Sequence, residues 1–186
     1  MNILITEHQY SKLIQNKVKE LKKSPYGRSE LLMMRELLVS GDPENIKIVF
    51  AMLKRYPTIL DKLIKSTFGD LLSLARLDPS EEGVIKLMNL QSLAFQNKGL
   101  EELPANIGIL KNLQQLNLNN NNLRYLPETI GNLHNLERIF VCGNKLTALP
   151  ESLKLLPNLK RMSISRNPWP NGEILKIRQM LPNVHF

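Results

Sequence analysis

One thiol and three imidazoles are the side chains best suited to nucleophilic or acid–base chemistry in this chain: Cys142, His8, His134 and His185. A thiol activated by a histidine needs contact at about 3 Å. A zinc site needs Cys and His in close pairs, and no such spacing occurs. The patterns GxxxxGK(S/T), GxGxxG and HExxH are absent, so phosphate-cradling and metalloprotease readings lose their main support. A different polar resource is abundant. In LQQLNLNNNNLRYLP, residues 113–127, asparagines stand at Asn117 and at Asn119, Asn120, Asn121 and Asn122. Such a run is either a low-complexity tract or a set of amides that each have a task, and the elements that position them decide which.

Leu90, Leu113, Leu136 and Leu159 each open a unit of 23 residues. Position four of the units reads Leu93, Leu116, Ile139, Met162, and position six reads Phe95, Leu118, Val141, Ile164. Position eleven reads Leu100, Leu123, Leu146, and position fourteen Leu103, Leu126, Leu149, each of the latter followed by proline. The LxL alternation has period two and predicts a short strand with its leucines inward. The LPETIGNL half predicts a short helix or 3₁₀ turn after the proline. A unit of this kind cannot bury its own apolar face, so neighbours must stack and share one core. On these residues the sequence resembles the leucine-rich repeat family, in the variety LxxLxLxxNxLxxLPxxIGxLxN, over about half the chain. The resemblance implies an α/β, right-handed solenoid with a parallel concave sheet of about five strands. It also implies that the asparagine at position nine, Asn121, Asn144 and Asn167, hydrogen-bonds along the turn as a ladder. Asn117 and Asn119 are then expected to point outward from the sheet, with Asn120 and Asn122 flanking the ladder residue. Unit one has Lys98 at the ladder position, so its turn is expected to be looser or served by Asn97.

The predicted organisation is an all-helical N-terminal capping domain, residues 1–77, followed by a repeat domain, 78–186, with a helix–strand cap. Thr6-Glu7-His8-Gln9 has the form of a capping box before Tyr10, Leu13, Ile14, Val18 and Leu21. Ser29 is expected to open a second helix, Asp42 and Pro43 a third, Pro57 a fourth, and Asp70 a short fifth. Asp78 is expected to cap a helix with Pro79 in its first position and Glu81 and Glu82 in its first turn. Downstream, a helix over Ile174 to Met180 leads to Leu181, Val184 and Phe186, expected as a fifth strand, and Trp169 is expected to cover the last unit. The helical half is expected to serve as a cap, with a partner surface of its own as the other reading.

The balance of charge is +8, and residues 90–186 contribute most of it, with 11 Lys+Arg against 6 Asp+Glu. A basic surface raises nucleic acid as a partner, but aromatics are only 5% and no basic run with interleaved aromatics occurs. Without a leader pattern or an apolar run of membrane-spanning length, the expected location is cytoplasmic. Projection of the strands puts Ser92, Gln115, Arg138, Arg161 and Asn183 in one outward column and Ala94, Asn117, Phe140, Ser163 and His185 in the next. Cys142 and His185, two strands apart, are expected too far from each other for a dyad, so no enzyme and no cofactor is expected. The expected function is a non-catalytic protein-interaction module whose concave face binds a protein or peptide bearing acidic groups. Its site residues are Arg138, Phe140, Arg161, Gln115, Asn117, Asn119, Ser163 and Arg166. Phe140 and the arginines read equally as tolerated, solvated residues. A nucleic-acid or anionic-surface binder is the alternative, and a secreted bacterial effector a weaker one.

Overall fold

The computed structural model describes residues 27–186. The capping box at residues 6–9 and the helix expected after it lie outside the described residues. Helix α1 spans Arg28–Val39, with Gly27 rather than Ser29 in the N-cap position. Helix α2 spans Pro43–Leu53, and Asp42 caps it by accepting the Glu44 N–H at 2.9 Å. Pro57 opens α3, Pro57–Phe68, because a ring that fixes φ and lacks an N–H is harmless in a first turn. A single turn, α4, Leu71–Leu74, and then α5, Glu81–Met88, complete the helical half. The cap of α5 is Ser80 and not Asp78: the Ser80 hydroxyl accepts from the Gly83 N–H at 3.1 Å. Asp78 instead accepts from the Ser80 N–H at 2.9 Å, which shapes the turn leading into the cap and leaves Pro79 outside the helix.

The apolar faces of these helices meet in one core with the repeats. Met34 and Leu38 of α1, Ile46, Val49 and Leu53 of α2, Phe68 of α3 and Val84 and Leu87 of α5 are fully buried. They belong to the same cluster as Leu93, Phe95, Ile107 and Leu110 of the first repeat. The Asn106 amide adds a polar tie, donating to the Thr67 carbonyl at 3.1 Å.

Each repeat contributes three residues to a parallel sheet in simple order: β1 Ser92–Ala94, β2 Gln115–Asn117, β3 Arg138–Phe140, β4 Arg161–Ser163. Ser92, Gln115, Arg138 and Arg161 stand side by side, as do Ala94, Asn117, Phe140 and Ser163. The residues between them, Leu93, Leu116, Ile139 and Met162, point into the core. After Pro104, Pro127 and Pro150 the chain returns through 3₁₀ turns at Ala105–Ile109, Glu128–Asn132 and Glu151–Leu155. These turns stack closely enough to dictate glycine. A Cβ added to Gly131 would sit 2.6 Å from the Ser152 carbonyl oxygen, and one on Gly108 would overlap the Thr129 carbonyl. The third turn has Lys154 at this position, and no further 3₁₀ turn stacks against it.

The C-terminal end departs from the expected fifth strand. Helix α6, Glu173–Met180, replaces the 3₁₀ turn, and the residues after it make one isolated bridge, Arg161 to His185. His185 therefore stands beside Arg161, where Asn183 was expected, and not beside Ser163. A regular helix advances the chain differently from the turn it replaces, which breaks the repeat's step. Leu181 is buried, but Phe186 remains 37% exposed, with the Arg178 guanidinium 5.4 Å from its ring centre.

Candidate functional site

At the end of each strand the chain turns while its backbone groups are shut away from water, so they need partners. Asn121 supplies them from both ends of its amide. Its Nδ2 donates to the carbonyls of Phe95 and Leu118, both at 2.8 Å, and its Oδ1 accepts from the N–H groups of Lys98 at 3.0 Å and Leu100 at 3.1 Å. Asn144 repeats the pattern with Leu118, Val141 and the Leu123 N–H, and Asn167 with Val141, Ile164 and the Leu146 N–H. Every rung reaches backward into the preceding unit. Unit one thus needs no asparagine of its own at Lys98, and Asn97 is not the substitute. A second ladder, to which the sequence reading assigned no role, runs along the other strand end. There Asn112, Asn135 and Asn158 donate to the carbonyls of Met88, Lys111 and His134. Its signal was the asparagine that closes each unit.

Position eight has its own requirement. Asn97, Asn120, Gly143 and Arg166 all have positive φ, between 55° and 66°. Asparagine and glycine tolerate this left-handed conformation, and arginine does so only under strain. Of the five asparagines in the run, Asn120 therefore serves backbone geometry. Asn117 and Asn119 are partly committed as well: Asn117 Oδ1 accepts from the Asn119 N–H at 3.1 Å, and Asn119 Oδ1 accepts from the Cys142 N–H of the next unit at 2.8 Å.

What remains unengaged on the concave face gathers toward its C-terminal half. Arg138 and Arg161 are exposed and stand opposite each other in adjacent strands, about 4.8 Å apart at the backbone. Phe140 is half-buried next to Ser163, two residues further along the same pair of strands. Like charges directly opposed across a sheet are unfavourable. No acidic side chain relieves them: among the described residues every ion pair is made by a lysine, and none by Arg138, Arg161 or Arg166. Gln115 and Asn117 continue the two columns toward the amide-rich end.

Cys142 and His185 do not form a dyad. The thiol accepts a hydrogen bond from the Ser165 hydroxyl at 3.2 Å, at the far end of the strands. His185 is bridged to Arg161 at their near end, four residues back, which at about 3.3 Å per residue separates the two groups by more than 10 Å. Among the described residues no group of three or more His, Cys, Asp or Glu could hold a metal ion. No described helix is long and apolar enough to cross a membrane.

The sequence profile of the leucine-rich repeat region family matches residues 72–180. The chain belongs to the leucine-rich repeat family. Among solved structures it is similar to a leucine-rich repeat protein of Leptospira interrogans, at 38% identity and a TM-score of 0.51. That match covers 55% of this chain and 26% of the other, so this chain spans about a quarter of that protein's length. It also resembles a plant peptide hormone receptor solved in complex with its hormone, at 29% identity over 48% of this chain and 15% of the receptor, TM-score 0.41. The leucine-rich repeat domain of the type III effector XopL aligns with 90% of this chain and 67% of its own at 17% identity, TM-score 0.38. Neither of the last two, at TM-scores below 0.5, bears on function. No curated protein sequence matches the chain.

Proposed function

We propose that this protein is a non-catalytic interaction module that binds an acidic peptide or an acidic protein segment on the C-terminal half of its concave face. The observation that carries the reading is the pair Arg138 and Arg161, opposed in register without an acidic partner beside the half-buried Phe140. Two forked guanidinium groups side by side suit carboxylates in bidentate geometry, and a partner that supplies them removes the repulsion the free sheet bears. Phe140 offers an apolar centre of the type that anchors interfaces. Ser163 and Gln115 add hydrogen-bonding capacity around it, while Asn117 and Asn119 contribute only the amide nitrogens their internal bonds leave free. Arg166 extends the positive face along the rim.

The area suits a peptide. Four strands at about 4.8 Å spacing and five consecutive residues of each at about 3.3 Å cover on the order of 300 Å², below the roughly 800 Å² per partner of a standard protein interface. Selection of peptides from a displayed random library on the folded protein, and on Arg138→Glu with Arg161→Glu, tests the reading. Acidic sequences with one bulky apolar residue are expected from the first and not from the second. Identical selections from both would overturn it. A random oligonucleotide binding as tightly as the selected peptides, with a steep salt dependence, would favour a general anion-binding surface instead.

A further inference from the structure

The two edges of the sheet are finished differently. Beyond β4 the chain's own last residues close the edge: Met162 donates to the His185 carbonyl at 2.8 Å, and His185 donates to the Lys160 carbonyl at 2.9 Å. At β1 no described residue does the same. Gln91 accepts from Gln114 and Gln115, Phe95 donates to the Asn117 carbonyl and Asn97 to the Asn119 carbonyl, so the odd-numbered residues carry the pairing to β2. In an extended strand the backbone groups alternate in direction, which turns those of Ser92, Ala94 and Gln96 to the outer edge. No described residue hydrogen-bonds to them there. This edge opens on a groove of about 400 Å³ lined by β1 residues together with Leu74, Arg76 and Lys98.

We infer that the outer edge of β1 is a second docking site, which takes an extended acidic segment of another protein as an added strand. The row of free N–H and C=O groups supplies main-chain pairing in the manner of strand addition. Small outward residues, Ser92 and Ala94, let a second backbone approach. The charge of the lining selects the occupant. Arg76 and Lys98 attract carboxylates of an incoming strand, and a second copy of this chain, with its net charge of +8, is a poor match for them. The site is independent of the concave face, since none of Arg138, Phe140 or Arg161 lines it.

Amide hydrogen exchange by NMR on the full chain tests this, with a short capped peptide alternating glutamate and valine as the probe. In the free protein the Ser92, Ala94 and Gln96 amides should exchange at least about tenfold faster than those of Leu93, Phe95 and Asn97. Saturating peptide should slow the first three about tenfold or more, and a lysine–valine peptide or one N-methylated on alternate residues should not. Arg76→Glu with Lys98→Glu should weaken the acidic peptide at least about tenfold, while Arg138→Glu with Arg161→Glu leaves this effect intact. Slow exchange of the three amides in the free monomer would show that the chain covers its own edge and overturn the proposal. So would concentration-dependent dimerisation that protects them, or an acidic peptide that leaves them unprotected.

Discussion

The indole Nε1 of Trp169 donates to the carbonyl of Ile164 at 2.8 Å. In the three preceding steps the equivalent carbonyls, Phe95, Leu118 and Val141, receive the amide of the next unit's asparagine. Trp169 therefore supplies the rung that a fifth repeat would have supplied, and its half-buried ring packs on the core at the same time. One side chain is thus both donor and apolar cover at this turn.

Removing a rung should strand buried backbone groups. Asn121→Ala or Asn144→Ala should each lower stability by about 1 to 3 kcal/mol, whereas Asn122→Ala, off the ladder, should cost less than about 0.5 kcal/mol. Trp169→Phe keeps most of the burial and deletes the donor, so a loss of about 1 kcal/mol is expected. Urea denaturation of the four variants checks this, and equal midpoints for Asn121→Ala and Asn122→Ala would contradict it.

The left-handed column predicts opposite signs at neighbouring units. Gly143→Ala puts a Cβ at positive φ and 2.6 Å from Asn120 Oδ1, and should destabilise by about 1 to 2 kcal/mol. Arg166→Gly relieves an L-residue in the same conformation and should leave stability unchanged or raise it by up to about 1 kcal/mol, after the entropic cost of glycine. Thermal melts of both variants decide it; a destabilised Arg166→Gly would assign that side chain a structural contact.

Stacking of the 3₁₀ turns makes a third contrast. Gly131→Ala should cost about 1 to 3 kcal/mol, because its new methyl meets the Ser152 backbone and the turns must separate. Lys154→Ala, one unit on and free of that neighbour, should stay within about 0.5 kcal/mol. Similar melting shifts for both would mean that the turns are not held in contact.

The 23-residue step, the buried columns and the asparagine at position nine were legible because each is a residue type imposed at a fixed position by one local need. The direction of the ladder was not, since sequence marks Asn121 but not that its partners Lys98 and Leu100 lie in the unit before it. Asn119 read as a free outward amide, because alternation places a side chain on a face without saying that the next unit's Cys142 N–H lies within its reach. The cap of α5 is Ser80 rather than Asp78, a choice the sequence leaves open because both residue types cap equally well. The last segment is shifted by two residues, with His185 rather than Asn183 beside Arg161, because apolar periodicity does not resolve how far α6 advances the chain.

Acid should weaken the fold through two exposed carboxylates. Hydrogen bonds from the Ser80 hydroxyl and then its backbone hold Asp78 below its usual value, and the Lys154 ammonium does the same for Glu151. A carboxylate depressed in the folded state contributes stability above its unfolded pKa, about 4, and that contribution disappears as pH falls through the folded value. Asp78→Asn with Glu151→Gln should therefore flatten the acid limb of the stability curve. Urea midpoints taken from about pH 6 to pH 2 measure it, and a limb as steep as that of the unaltered chain would contradict the assignment.

Titration calorimetry of one selected acidic peptide against the full chain tests the concave-face account most directly. Phe140→Ala should weaken binding by about 1 to 2 kcal/mol, and Arg138→Glu with Arg161→Glu should weaken it further and remove most of its salt dependence. The double arginine variant should melt within about 0.5 kcal/mol per substitution of the unaltered chain, since those side chains project from the sheet, and Phe140→Ala, whose ring is half-buried, should cost about 1 kcal/mol. Arg76→Glu with Lys98→Glu should leave the affinity unchanged. Affinity preserved in the Arg138 and Arg161 double reversal, with folding intact, would contradict the account and move the site off the concave face.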